Sequence, residues 1–139
     1  MGVSTDGQIC FGIAFEEGSE FPWDRDEDAD WDIEDWWRRL HGWNEFWTEA
    51  DIGYFDRQGT FDAEHPMPVQ LVMHCSYDYP MYILSLPGTL IRASRGYPAE
   101  LPSDMGERDG IPLIDFCEEH GIELSEEQKP CWLLTSLWG

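Results

Sequence analysis

The sequence has few basic residues and no long apolar run. Eight of its 139 residues are lysine or arginine, against 29 aspartates and glutamates, which gives a formal net charge of −21. So few basic residues disfavour direct binding to nucleic acid, whose phosphates are held mainly by lysine and arginine. No stretch reaches the roughly 18 apolar residues that cross a bilayer, and no charged and then apolar leader opens the chain. We therefore expect a cytoplasmic protein with no membrane contact.

Motifs typical of enzyme sites are missing as well. No serine stands in a Gly-x-Ser-x-Gly turn, no glycine-rich phosphate loop occurs, and catalytic carboxylates cannot be singled out among 29. The pair Cys117-x-x-His120 has a spacing found in zinc sites, but no second pair completes a set of four ligands. The sequence therefore predicts a protein that is not an enzyme and has no cofactor.

Apolar residues, in contrast, are plentiful. Hydrophobic residues make up 42% of the chain and aromatic residues 14%, which is enough for a core and unlike acidic disordered segments. The length is typical of one domain, so we expect a single acidic domain over residues 1–139. Cysteine is often buried, and we expect the cysteines to fill the core rather than form disulfides. They are Cys10, Cys75, Cys117 and Cys131.

The order of strand-like and helix-like segments predicts an α+β fold, with a largely antiparallel sheet of about four or five strands, two main helices and an acidic loop or helix region. Strands are expected over residues 7–15, 69–75, 81–86, 89–94 and 131–138. Gly12, inside the first strand, marks a bulge or the close approach of another backbone. Pro87-Gly88 is a turn sequence, so the third and fourth strands are expected to form an antiparallel hairpin.

Helices are expected from residue 30 to His41-Gly42 and over residues 111–121. The first has carboxylates in its first turn, arginines in its last and a glycine stop, and the second has a proline in its first turn. A short helical turn is expected over residues 45–47. The stretch that follows is predicted to be loop, because glycine and proline interrupt it at Gly53, Gly59, Pro66 and Pro68.

Residues 16–35 are the most acidic segment, with eleven carboxylates and one arginine. In an extended chain, Asp24 and the alternate aspartates after it would lie on one face about 6.6 Å apart. The interleaved tryptophans either anchor this segment to the core or fill a groove on a partner; they are Trp23, Trp31 and Trp36. The predicted partner-binding residues are Glu16, Glu17, Glu20, Trp23, Asp24, Asp26, Glu27, Asp28, Asp30, Trp31, Asp32, Glu34 and Asp35.

The start of the chain carries a family resemblance. It reads Met1-Gly2-Val3-Ser4-Thr5-Asp6-Gly7-Gln8-Ile9-Cys10-Phe11-Gly12 and continues with Phe21-Pro22-Trp23-Asp24. This pattern resembles the beginning of small uncharacterised proteins encoded by tailed bacteriophages. The resemblance implies a phage or prophage origin and action inside a bacterial host cell, where small acidic proteins often resemble anti-CRISPR proteins and other DNA mimics. It implies no functional residue.

A row of carboxylates can compete with DNA for a cationic surface, because both neutralise the same lysines and arginines. We therefore expect a basic, nucleic-acid-binding host protein as the partner, with the acidic protein acting as an inhibitor. The plainer alternative is a solvated acidic surface that keeps the protein soluble, with the tryptophans as its core. Exposed aromatic residues would also be compatible with a homo-oligomer.

Calcium binding is the rival interpretation of the same segment. Six aspartates of residues 24–35 fall at positions 1, 3, 5, 7, 9 and 12 of a loop that resembles an EF-hand. Ala29 stands where the sharp turn needs glycine, and Phe21-Pro22 interrupts an entering helix. The ligands of this alternative metal site would be Asp24, Asp26, Asp28, Asp30 and Asp35.

Overall fold

The computed structural model describes residues 5–25, 32–43, 53–106 and 108–138. The chain divides into two compact units, one formed by residues 1–19 with 68–139 and the other by residues 20–67. The acidic and aromatic residues concentrate in the smaller unit. Residues 20–67 hold 15 carboxylates, four arginines and six of the eight tryptophans.

The larger unit is built on a five-stranded sheet. Its strands are β1 (Thr5–Ala14), β2 (Gln70–Ser76), β3 (Pro80–Ser85), β4 (Ile91–Ala93) and β5 (Cys131–Trp138). They lie in the order β3-β2-β5-β1-β4, with an additional pairing of β3 to β1 and one parallel pair, β2 with β5. This mostly antiparallel sheet, together with four helices in the described part of the chain, confirms the α+β prediction.

The predicted hairpin of the third and fourth strands is wrong. Gly12–Ala14 of β1 pairs with β3, and Gly7–Ile9 of the same strand pairs with β4. The chain therefore continues along β1 instead of turning back at Pro87-Gly88. Leu86 N–H donates to Phe11 O of β1 (2.9 Å), and within the turn Thr89 N–H donates to Leu86 O (3.3 Å). Because one long strand offers its whole edge, both short strands can pair with it.

Gly12 lies at the close approach that the sequence predicts. A β-carbon at this position would overlap Leu84 O and stand 2.8 Å from Ile83 Cγ2. Cys10, Val72 and Ile83 form the core nearby, with Leu90 and Leu133 packed against it.

A polar group is buried in the same unit. The Gln8 side chain donates to Met73 O (3.1 Å) and accepts from Arg92 Nε (3.0 Å) and Nη2 (2.8 Å). Because both the nitrogen and the oxygen of the amide are hydrogen-bonded, its burial leaves neither atom unsatisfied.

The helix α4 (Ile111–Glu119) confirms the second predicted helix. Proline lies in its first turn, where its missing N–H costs nothing. Leu113, Phe116 and Cys117 are buried along one face. The helix ends at His120, and Gly121 follows with a φ of +71°.

The smaller unit is helical where it is described. It contains α1 (Pro22–Arg25), α2 (Ile33–Leu40) and α3 (Tyr54–Glu64). The helix α2 matches the prediction, with Asp32 as its N-cap and Gly42 in the left-handed conformation just after it. The loop predicted after Gly53 is wrong, because α3 forms there. The helical turn predicted over 45–47 lies outside the described residues.

Candidate protein-interaction surface

Stacked aromatic rings support the start of the acidic segment. The Phe21 and Trp23 rings stack with centroids 4.8 Å apart, and Trp36 meets Trp23 at 5.4 Å. Phe21 and Trp23 are each 1% exposed. Trp23 therefore anchors the segment, which is one of the two roles that the sequence leaves open. Its prediction as a partner-binding residue is wrong. A side chain so deeply buried cannot touch a partner.

The other predicted residues are distributed over both units. Glu16 and Glu17 are exposed in the larger unit, just after β1, where Gly18 has a φ of +80°. Glu20 lies in the smaller unit and pairs with Arg25 at 3.5 Å. Both of those side chains are about 70% exposed, so this ion pair contributes little to stability. Five of the predicted residues lie outside the described part of the chain: Asp26, Glu27, Asp28, Asp30 and Trp31.

Two aspartates are held by backbone amides. Asp24 Oδ2 accepts from Phe21 N–H (3.0 Å), and Asp32 Oδ1 accepts from Glu34 N–H (2.9 Å). In each case the carboxylate satisfies an amide that lacks a helical partner at the start of a helix. Both aspartates remain exposed, so these bonds fix the direction of the charge without hiding it.

Arg38 organises a further group of carboxylates from α2 and α3. Its Nε and Nη2 donate to the two oxygens of Asp62 (2.8 and 3.0 Å), and its Nη1 donates to Asp35 (3.0 Å). Glu34 lies 3.6 Å from Nη2. The two bonds to Asp62 use the planar fork of the guanidinium, a geometry that lysine cannot reproduce. We call Glu34, Asp35 and Asp62 the Arg38-centred acidic face.

The arginine of this group is mostly buried, whereas its three carboxylates are accessible to solvent. The Arg38 side chain is 14% exposed, whereas those of Glu34, Asp35 and Asp62 are 67%, 48% and 43% exposed. Hydrogen bonding to Asp62 raises the pKa of Arg38 above its ordinary value, so the guanidinium stays charged. One cation beneath three carboxylates leaves a net charge of about −2 on an ordered surface.

Asp62 and Arg38 are absent from the predicted site residues. The sequence identifies Arg38 only as a charge at the end of α2, and it places Asp62 in a stretch predicted to be loop. Their spacing of 24 residues gives no local signal of contact. Only the formation of α3 brings the two side chains together.

An open aromatic groove lies on the same unit. It has a volume of about 360 Å³ and is lined by Trp43, Asp56, Arg57, Thr60, Phe61 and Glu64. Trp43 stands edge-on to Phe61, with ring centroids 5.1 Å apart. The lining therefore combines aromatic rings with two carboxylates and one arginine, a set with net negative charge that suits a cationic side chain.

The described residues contain no group of three or more His, Cys, Asp or Glu side chains that could hold a metal ion. Of the predicted calcium ligands, Asp24 is bonded to a backbone amide and Asp35 to Arg38. Asp26, Asp28 and Asp30 lie outside the described residues, so the calcium loop stays a prediction.

The cysteines divide into two classes. Cys10 and Cys117 are buried, and burial raises the pKa of each thiol to about 11. Such thiols are poor nucleophiles near neutral pH, because only the thiolate reacts. Cys75 and Cys131 are exposed, so the expectation of a core role is wrong for them. All four thiols are free.

Comparison with protein-family models, with curated proteins and with solved structures finds no match to this chain. Among the helices of the described segments, none has the length and apolar character needed to cross a membrane.

Proposed function

We propose that this chain is a non-enzymatic acidic binding protein that covers the cationic, nucleic-acid-binding surface of another protein. The observation that supports this most directly is the Arg38-centred acidic face. One largely buried guanidinium holds carboxylates from two helices in fixed positions while leaving them exposed to solvent.

Fixed carboxylates favour binding in two ways. Side chains that are already ordered lose less conformational entropy when a partner binds. A surface of one sign also steers a partner of the opposite sign over distances longer than a contact. The concentration of 15 carboxylates and four arginines in residues 20–67 gives this unit the larger share of the net charge.

The finer form of the proposal comes from the resemblance to phage proteins. In that form the protein is an inhibitor of a bacterial defence enzyme, of the anti-CRISPR or DNA-mimic type, and acts in the cytoplasm of the host. The aromatic groove of the same unit supports a protein partner in particular, because its rings and carboxylates can bind an arginine or lysine of that partner.

A displacement experiment tests the proposal. Bacterial lysate is bound to DNA-cellulose at low salt, and the column is washed with this protein. We expect it to elute DNA-bound proteins, because its carboxylates compete for the same lysines and arginines. A variant with Glu34→Gln and Asp35→Asn should elute much less, while Asp62 still pairs with Arg38 and keeps the helices together.

The matched control is Glu118→Gln with Glu119→Gln on α4. It removes the same charge from exposed positions of the larger unit. Full elution by this control and weak elution by the α2 variant would support a specific acidic surface. Equal elution by the two variants would show that net charge alone acts, and no elution by the unaltered protein would reject the proposal. Repeating the wash with Ca²⁺ or with a chelator shows whether calcium contributes.

A further inference from the structure

Two histidines stand side by side where two helices of the smaller unit end. His41 is the C-cap of α2, and His65 is the C-cap of α3. Their ring centroids are 5.2 Å apart, with 48° between the ring planes. Trp37 Nε1 donates to His65 O (2.9 Å), which ties the end of α3 to α2. The sequence gives no hint of this pair, because 24 residues separate its members and α3 is not predicted.

Hydrogen bonds fix the tautomer of each ring. His41 Nδ1 lies 2.9 Å from Trp37 O, and His65 Nδ1 lies 3.1 Å from Phe61 O. A carbonyl oxygen can only accept, so Nδ1 must carry the proton in both rings. In the neutral imidazole the lone pair then belongs to Nε2. This is the arrangement found in metal-binding histidines, whose second nitrogen donates to a carbonyl or carboxylate.

The 5.2 Å between the ring centres lies in the range of ordinary ring packing and also equals the spacing that a shared metal ion requires. Zinc–nitrogen bonds of about 2.0–2.1 Å, about 1.1 Å from nitrogen to ring centre and a tetrahedral angle place two imidazole centres about 5 Å apart. Ring packing restricts both side chains: His41 lies 4.1 Å from the Trp37 ring, and His65 stacks on Phe61 at 4.3 Å.

Electrostatics also favours a cation at this point. The carboxyl end of a helix carries a partial negative charge from its unpaired carbonyls, and here two such ends meet. The surrounding unit is strongly acidic. Imidazole is a preferred ligand of Zn²⁺, Ni²⁺ and Cu²⁺, whereas Ca²⁺ and Mg²⁺ prefer oxygen.

We propose that His41 and His65 form a two-histidine site for a divalent transition-metal ion of the zinc class, which links the ends of α2 and α3. Water fills the remaining coordination positions, so the ion is exchangeable rather than enclosed as in a four-ligand structural site. The site does not depend on the proposed partner, and either proposal can fail without the other.

Calorimetric titration of the whole protein with ZnCl₂ tests the site. Millimolar CaCl₂ in both solutions occupies the carboxylates, which would otherwise bind zinc weakly. We expect one zinc ion per chain. Changes in outer-shell partners alone alter metal affinity about 10- to 100-fold, so loss of a direct ligand in His41→Gln or His65→Gln should weaken binding at least about tenfold.

His120→Gln is the matched control. His120 is also a helix C-cap beside an aromatic ring, that of Phe116. Zinc affinity should stay unchanged in this variant, and equal affinity in all three variants would overturn the proposal. If a variant fails to fold, nitrogen NMR of the unaltered protein decides. Saturating zinc must shift the Nε2 resonances of His41 and His65, and unchanged resonances would also reject the site.

Discussion

Within the described part of the chain, Arg38 is the residue that pairs with all three carboxylates of the Arg38-centred acidic face. Its replacement in Arg38→Gln leaves Glu34, Asp35 and Asp62 close together without their shared cation. Because the guanidinium is mostly buried but its partners are half exposed, we expect a loss of about 1–2 kcal/mol in the free energy of unfolding. Urea denaturation measures this loss. Added NaCl should reduce it, because salt screens repulsion between exposed carboxylates.

Arg25→Gln is the control for that prediction. Arg25 also pairs with a glutamate, but both side chains are mainly in solvent, so the change should stay below about 1 kcal/mol. Equal losses in the two variants would contradict the organising role of Arg38.

At the scale of residues, the sequence predicts features that depend on neighbouring positions in the chain and misses contacts between residues far apart in it. Gly12 could be identified because a glycine inside a strand pattern is a local signal of close backbone approach. The contact of Arg38 with Asp62 and the pairing of His41 with His65 could not, since each joins residues 24 apart. Trp23 is an intermediate case: the sequence allowed it either to anchor the segment to the core or to fill a groove on a partner, and only its burial decides for the anchor.

At the scale of elements, local signals separate the helix that was predicted from the one that was missed. The helix α2 carries its own N-cap, charges and glycine stop, all within a dozen residues. The helix α3 begins at a glycine and has another at its centre, so its sequence favours a loop. Its stability must come from packing, such as the Trp43 ring against Phe61 and the bond from Trp37 to His65.

Alanine substitutions at two glycines, Gly53 at the N-cap of α3 and Gly59 inside the helix, should change the free energy of unfolding in opposite directions. In both positions a β-carbon would meet no atom within 4 Å. Gly59 has ordinary helical geometry, so Gly59→Ala should stabilise the protein by about 0.5–1 kcal/mol. Gly53 has a φ of +78°, so Gly53→Ala should destabilise it by about 1 kcal/mol. Urea denaturation of both variants measures the difference. Changes of the same sign would mean that α3 does not form here.

At the scale of the whole molecule, composition and pattern are enough for the class but not for the path of the chain. A run of three consecutive strand-like segments, with single helix-like segments before and after it, indicated α+β, and five strands form close to the predicted places. The strand order was not predictable, because β3 and β4 share one edge of β1 across a turn that resembles a hairpin turn. Long strands can accept several partners, and tertiary packing selects among them.

The net charge leads to a prediction about the stability of the whole chain. With 29 acidic and eight basic residues, repulsion is stronger in the compact state than in the expanded unfolded chain. Raising NaCl from about 0.01 M to 0.15 M shortens the screening length from about 30 Å to about 8 Å. We therefore expect the melting temperature to rise by several degrees, or about 1 kcal/mol for a chain of this size. Above about 0.2 M a further increase in NaCl should add little to the melting temperature through screening, because screening saturates, whereas stabilisation by general salting-out would continue to grow. A melting temperature that stays constant or falls over this range would mean that attraction between paired charges, as at Arg38, outweighs repulsion across the molecule.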